Sequence, residues 1–129
     1  MKQGWIALGG ALALFAVMLG AFGAHALEAR LTAHYLEVFK TGAYYQMVHA
    51  LAIILIGQRA ELRPRGRLLP LSCGLMTAGV MIFCGSLYIL ALTGERRLGM
   101  ITPLGGLSFM AGWATFVIAE ITARRPSGQ

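Results

Sequence analysis

The sequence has no aspartate and no asparagine, and its only acids are five glutamates. Soluble folds rely on Asp and Asn for turns and helix caps, so their absence argues against a soluble globular enzyme. It also excludes a Ser-His-Asp triad. No two carboxylates share an apolar run, which argues against acid–base hydrolysis. Charge is scarce: 12% of the 129 residues, against roughly 25% in a typical soluble domain. Cys73 and Cys84 are the only cysteines. On a helix they lie roughly 16 Å apart at about 1.5 Å per residue, beyond the ~7 Å Cα limit for a disulfide. They read as buried helix residues, unbridged to each other. The Gly105-Gly106 pair lacks a P-loop lysine and any strand before it. There is no low-complexity segment and no convincing internal repeat.

What is present is apolar. Hydrophobic residues make up 57% of the chain and mean hydropathy is +0.69, which excludes a disordered chain and a disulfide scaffold. The runs are continuous and show no polar/apolar alternation, so they are helices and not barrel strands. About 20 residues cross the hydrocarbon core, and four stretches qualify, with spans expected over residues 5–24, 42–58, 68–93 and 102–120. The second is short and reaches by letting Arg59 snorkel; the third is long and tilts. The first competes with a signal peptide, since Lys2 precedes it and Ala24-His25-Ala26 fits a cleavage site. Its length exceeds the roughly 7–15 residues of such a core, and it is read as a span.

The expected fold is all-α: one integral membrane domain, a four-helix bundle. Leu27, Leu31, His34, Tyr35 and Val38 share one side of residues 27–40, which predicts a short amphipathic helix on the membrane surface between helices 1 and 2. Thr41 is placed as the cap of the second span. Pro70 fits the first turn of the third. Thr102-Pro103 fits an N-cap and N1 pair opening the fourth, leaving residues 98–101 as an irregular connector.

Four crossings put both termini and the middle turn on one side. That side carries Lys2, Arg59, Arg63, Arg65, Arg67, Arg124 and Arg125, seven cations; the other carries Arg30, Lys40, Arg96 and Arg97, four. The positive-inside rule then places both termini in the cytoplasm. The net charge of +6 is explained by this rule and by anionic headgroups, with no basic stripe for nucleic acid. Small residues supply close helix contact: Gly9, Ala13, Ala16, Gly20 and Ala24 on the first span, Gly74, Ala78 and Gly85 on the third, and Gly105, Ser108, Gly112, Thr115 and Ala119 on the fourth. Both Gly20→Ile and Gly112→Ile are expected to damage folding or assembly.

The intramembrane polar groups crowd toward the outer half: His25, Tyr45, Gln46, His49, Ser86, Tyr88 and Thr102 form a candidate polar pocket. An ionisable residue within a membrane is a site candidate by default, so His49 leads. The competing reading is interhelical glue, worth roughly 0.6–2 kcal/mol per bond, and it is preferred. A ligand or proton site comes next, and a metal or haem site last, because His25 and His49 lie at different depths. Trp5, Trp113, Tyr44 and Tyr35 read as interfacial anchors or packing groups.

Four ordered motifs carry a resemblance. They are Gly20-Ala21-Phe22-Gly23-Ala24-His25, Thr41-Gly42-Ala43-Tyr44-Tyr45-Gln46-Met47-Val48-His49-Ala50, Gly85-Ser86-Leu87-Tyr88 with Leu92-Thr93-Gly94, and Ile101-Thr102-Pro103-Leu104-Gly105-Gly106 with Gly112-Trp113. Over nearly the whole chain these resemble the small membrane family known as domain of unknown function 423, which includes bacterial YgdD-type inner-membrane proteins and the eukaryotic transmembrane protein 256. The resemblance implies four spans and no activity, cofactor or catalytic residue.

The expectation is therefore a non-enzymatic protein of the bacterial inner membrane, without a cofactor, working through contacts with lipid, with further copies of itself or with another membrane protein. Two alternatives stand beside it. One is a small oligomeric transporter or channel subunit with the polar cluster as vestibule. The other is a quinone- or haem-binding redox protein using His25, His49 and Tyr45.

Overall fold

A computed structural model describes residues 2–123; the Arg124-Arg125 tail lies outside the described residues. These residues form four long helices and no strand: α1 (Lys2–His25), α2 (Ala33–Glu61), α3 (Leu68–Thr93) and α4 (Thr102–Ala123). A 3-10 helix, Arg96–Met100, links the last two. The stretches Gln3–His25, Leu68–Thr93 and Arg96–Ala123 are each long and apolar enough to cross a membrane. With 29 residues, α2 extends about 43 Å at 1.5 Å per residue.

Helix α1 packs chiefly along α2, α2 along α3, and α3 along α4. One buried cluster, built around Ile53, Ile56, Cys73 and Met76, holds the half of the bundle nearer the turn between α2 and α3. A second, around Leu27, Phe39 and Ala91, holds the opposite end. A third, Val80, Cys84 and Phe109, lies against Phe83 and Tyr88. Both cysteines are free and buried.

The structure corrects four local expectations. No separate surface helix precedes α2: residues 33–40 are helical but form its first turns without a break. The cap is Thr32, whose Oγ1 accepts from the Tyr35 N–H at 3.2 Å. Thr41 does not cap; its hydroxyl donates to the Glu37 carbonyl four residues back, at 2.8 Å, which is how a threonine is accommodated inside a helix. The connector before α4 is an ordered 3-10 turn, entered after Gly94, where φ of +71° ends α3 in the left-handed conformation. Thr102 is likewise already helical, with its hydroxyl 3.2 Å from the Leu98 carbonyl.

The small-residue seams are sorted by the packing. On α4, Gly105 lies so close to the Phe83 backbone that an added Cβ would overlap it, and at Gly112 a Cβ would stand 2.8 Å from Met76 Cγ. On α1, Gly9 meets α2 at Ile54 and the Ala50 carbonyl. Gly20 faces open space, with nothing within 4 Å of its Cβ position. It is not an intramolecular packing residue, because α1 lays only one face on its neighbour. On α3 the same holds for Gly85, whereas Gly79 cradles the Phe109 ring.

A feature with no warning in the sequence is a π-helical turn, Val80–Cys84, in the middle of α3. Such turns are rare and gather at functional sites. Phe83 sits on it.

Candidate functional site

The seven polar residues of the candidate pocket do not come together in one pocket. The structure divides them into three hydrogen-bonded groups, set by the directions in which α2 and α3 present them.

The first group centres on Gln46, which is 4% exposed. Its Nε2 donates to the Leu12 carbonyl on α1 at 2.8 Å, and its Oε1 accepts from the Tyr88 hydroxyl on α3 at 2.7 Å. One amide thereby ties three helices. Close by, Tyr88 lies against Gly42, where any side chain would strike the ring, and stacks at a tilt on Phe39 with centroids 5.0 Å apart.

The second group centres on His49, also 4% exposed. Its Nδ1 lies 2.8 Å from the Tyr45 carbonyl, and its Nε2 lies 3.1 Å from the indole nitrogen of Trp113 on α4. An indole N–H only donates and a carbonyl only accepts. The geometry therefore assigns the ring proton to Nδ1 and leaves Nε2 as acceptor, a neutral imidazole. Phe109 lies flat on the ring, centroids 3.7 Å apart and planes 12° from parallel. With both nitrogens engaged, His49 has no lone pair directed at a metal or haem.

The third group joins α3 to α4. The hydroxyls of Ser86 and Thr102 are 2.6 Å apart, and Ser86 also reaches the Phe83 carbonyl within the π-turn at 2.9 Å. Deeper along the same helix pair, Ser72 donates to the Gly112 carbonyl at 2.7 Å and Ser108 to the Leu75 carbonyl at 2.6 Å. His25 belongs to none of the groups. It ends α1, exposed.

A groove opens beside the second group. It has a volume of about 350 Å³ and is lined by Tyr45, His49, Phe83, Gly106, Phe109, Met110 and Trp113. Tyr45 packs on Phe83, centroids 4.8 Å apart, and Phe83 on Phe109 at 5.4 Å. Tyr45 and Trp113 are 39% and 40% exposed. The Tyr45 hydroxyl has no hydrogen-bond partner among the described residues, unlike every other polar group of the three clusters. Sequence reasoning placed Tyr45 and His49 together from their spacing of four. It missed Phe83 and Phe109, which look like ordinary core residues in a chain this apolar.

At the opposite end of the bundle, two arginines of the α2 end and the turn after it converge on one acid. Arg59 makes a bidentate contact with Glu120, Nε to Oε1 at 3.2 Å and Nη2 to Oε2 at 3.1 Å. Arg63 reaches the same carboxylate at 3.1 Å. The contacts fasten α2 and the following turn to the end of α4.

Among the described residues no group of three or more His, Cys, Asp or Glu is placed to hold a metal ion. A family model described as "Protein of unknown function (DUF423)" matches residues 19–106. UPF0382 membrane protein YwdK of Bacillus subtilis strain 168 is 44% identical, over 91% of this chain and 95% of its own length. Similar proteins include UPF0382 membrane protein SAB0533 of Staphylococcus aureus, 43% identical over 89% of this chain and 93% of its own. Another is UPF0382 membrane protein SH2409 of Staphylococcus haemolyticus, 44% identical over the same shares. No solved structure matches the chain.

Proposed function

From the premise that the chain belongs to the DUF423 family, whose relatives are named membrane proteins, we propose that it is a non-enzymatic, four-span protein of the bacterial inner membrane. In this reading its termini face the cytoplasm and it acts through lateral contacts with lipid or with other membrane proteins. The observation that carries the reading is the closed hydrogen bonding of the polar clusters. Gln46, His49, Ser86, Tyr88 and Thr102 are turned on partners within the bundle. A nucleophile needs an adjacent base with a free lone pair, and a transport vestibule needs polar groups directed at a passage. Here those groups bind helix to helix, leaving the outer surfaces of the helices for function.

The test is mass spectrometry of the protein released intact from native membranes. The expected result is a chain carrying lipid, a second copy or a protein partner. An isolated polypeptide with none of these overturns the reading. In parallel, His49→Ala is expected to lower the melting temperature while leaving that association in place. Loss of association without loss of stability would make His49 a contact site and not glue.

One observation favours a second reading, a site for a quinone-type ring. The groove offers flat aromatic walls and one unpartnered hydroxyl donor, that of Tyr45. His25 takes no part in it, and His49 contributes a wall and no free nitrogen. Quenching of tryptophan fluorescence by a short-chain quinone, present in the wild type and lost in Tyr45→Phe, would support it; equal quenching in both would remove it.

A further inference from the structure

We propose that the pocket between the turn after α2 and the end of α4 binds the headgroup of an anionic phospholipid. The proposal deepens the lipid-contact reading above and rests on its placement of the chain in a membrane.

The pocket has a volume of about 230 Å³. Arg63 and Arg67 form its polar wall, and Leu68, Leu69 and Ala119 its apolar wall. The apolar stretch of α3 begins at Leu68, so the cavity straddles the level at which a polar turn gives way to hydrocarbon depth. Lipid phosphates lie at that level, and basic pockets between membrane helices are suited to headgroups.

The local charge is unbalanced. Arg59 and Arg63 share the single carboxylate of Glu120. Arg67 and Arg65 have no ion pair or hydrogen bond from their side chains among the described residues. Counting residues 59–67 with Glu120 gives four arginines against Glu61 and Glu120, a surplus of two positive charges. A phosphodiester without a counter-cation brings one negative charge and offsets half of that surplus. A choline headgroup would add a cation where cations are already in excess. The apolar wall distinguishes a lipid from a free phosphate, because Leu68, 36% exposed beside the guanidinium groups, presents surface to an acyl chain.

The experiment uses the purified full chain in a neutral detergent, titrated with short-chain phosphatidylglycerol or phosphatidylcholine and read by thermal shift and native mass spectrometry. The wild type is expected to prefer phosphatidylglycerol by at least about fivefold, the effect of roughly one well-placed cation at a membrane surface, and to lose the preference in high salt. Arg67→Gln should abolish the preference with the lipid-free melting temperature unchanged, since that side chain holds nothing else. Arg30→Gln, toward the other end of the bundle, should retain it. Equal binding of the two lipids, or a preference that survives Arg67→Gln, overturns the proposal. So does displacement of the lipid by glycerol phosphate, which would make the pocket a site for soluble phosphate. A chain that stays in solution without detergent fails differently: it removes the membrane placement itself.

Discussion

Both ends of the Gln46 amide are engaged, and that makes it the most informative single residue in the bundle. Replacing it with leucine removes two interhelical bonds and leaves the half-buried Tyr88 hydroxyl without its acceptor. An orphaned buried donor costs about 1–3 kcal/mol, more than the roughly 0.6 kcal/mol average of one intramembrane bond. Gln46→Leu is therefore expected to destabilise by about 1–3 kcal/mol in detergent unfolding. Tyr88→Phe should cost less, and the double variant should cost less than the two combined, because the second change removes the orphan created by the first. Strict additivity would show that the 2.7 Å contact is energetically idle. That Gln46, His49 and Ser86 lie within the helices, away from their ends, was legible from their positions in the sequence. Which partner each takes was not. Gln46 and His49 share a helix face, yet one reaches α1 and α3 and the other α4, a divergence set by where the neighbouring helices stand.

At the scale of elements, close approach decides which glycines count. A methyl group at Gly105 would overlap the backbone of Phe83 on the π-turn, and one at Gly20 would meet nothing. Gly105→Ala is thus expected to lose stability on the order of 1–3 kcal/mol, the usual penalty of overpacking. Gly20→Ala should be neutral or slightly stabilising, since alanine is the better helix former by about 1 kcal/mol. A melting-temperature comparison of the two variants checks this, and equal losses would contradict the packing described. The α4 seam was legible because Gly105, Ser108 and Gly112 all face α3. The α1 seam was only half legible: spacing marks a face, but a helix at the edge of a bundle has more faces than neighbours. The fusion of residues 33–40 into α2 escaped notice because Thr41 reads equally well as a cap or as an interior residue bonded to its own helix. The π-turn left no sequence signal at all. Its physical consequence is the placement of Phe83 against both Gly105 and Tyr45, so the tightest helix crossing and the aromatic groove depend on the same five residues.

For the whole molecule, orientation is the property from which the reading of both ends follows. The 59–67 turn carries four arginines, and translocating such a turn is opposed by the membrane potential at about 2.3 kcal/mol per charge per 100 mV. Two of the four are partly neutralised by Glu120 once folded, but during insertion α4 has not yet been made, and all four oppose crossing. The turn should therefore stay on the cytoplasmic side, with the 3-10 segment Arg96–Met100 outside. The native cysteines are buried, which leaves an introduced thiol as the readable label. At Gly66 a side chain meets only the Arg63 residue, at 3.5 Å or more, and at Gly99 it meets nothing within 4 Å, so Gly66→Cys and Gly99→Cys should both fold. In intact cells a membrane-impermeant maleimide is expected to label Gly99→Cys and spare Gly66→Cys; after permeabilisation both should react. The reverse pattern would place the arginine turn outside, and the anionic-lipid pocket would then face the wrong leaflet. Labelling of both in intact cells would mean that the chain does not thread the bilayer four times, because an even number of helices between these two points is the only way to bring them to the same side.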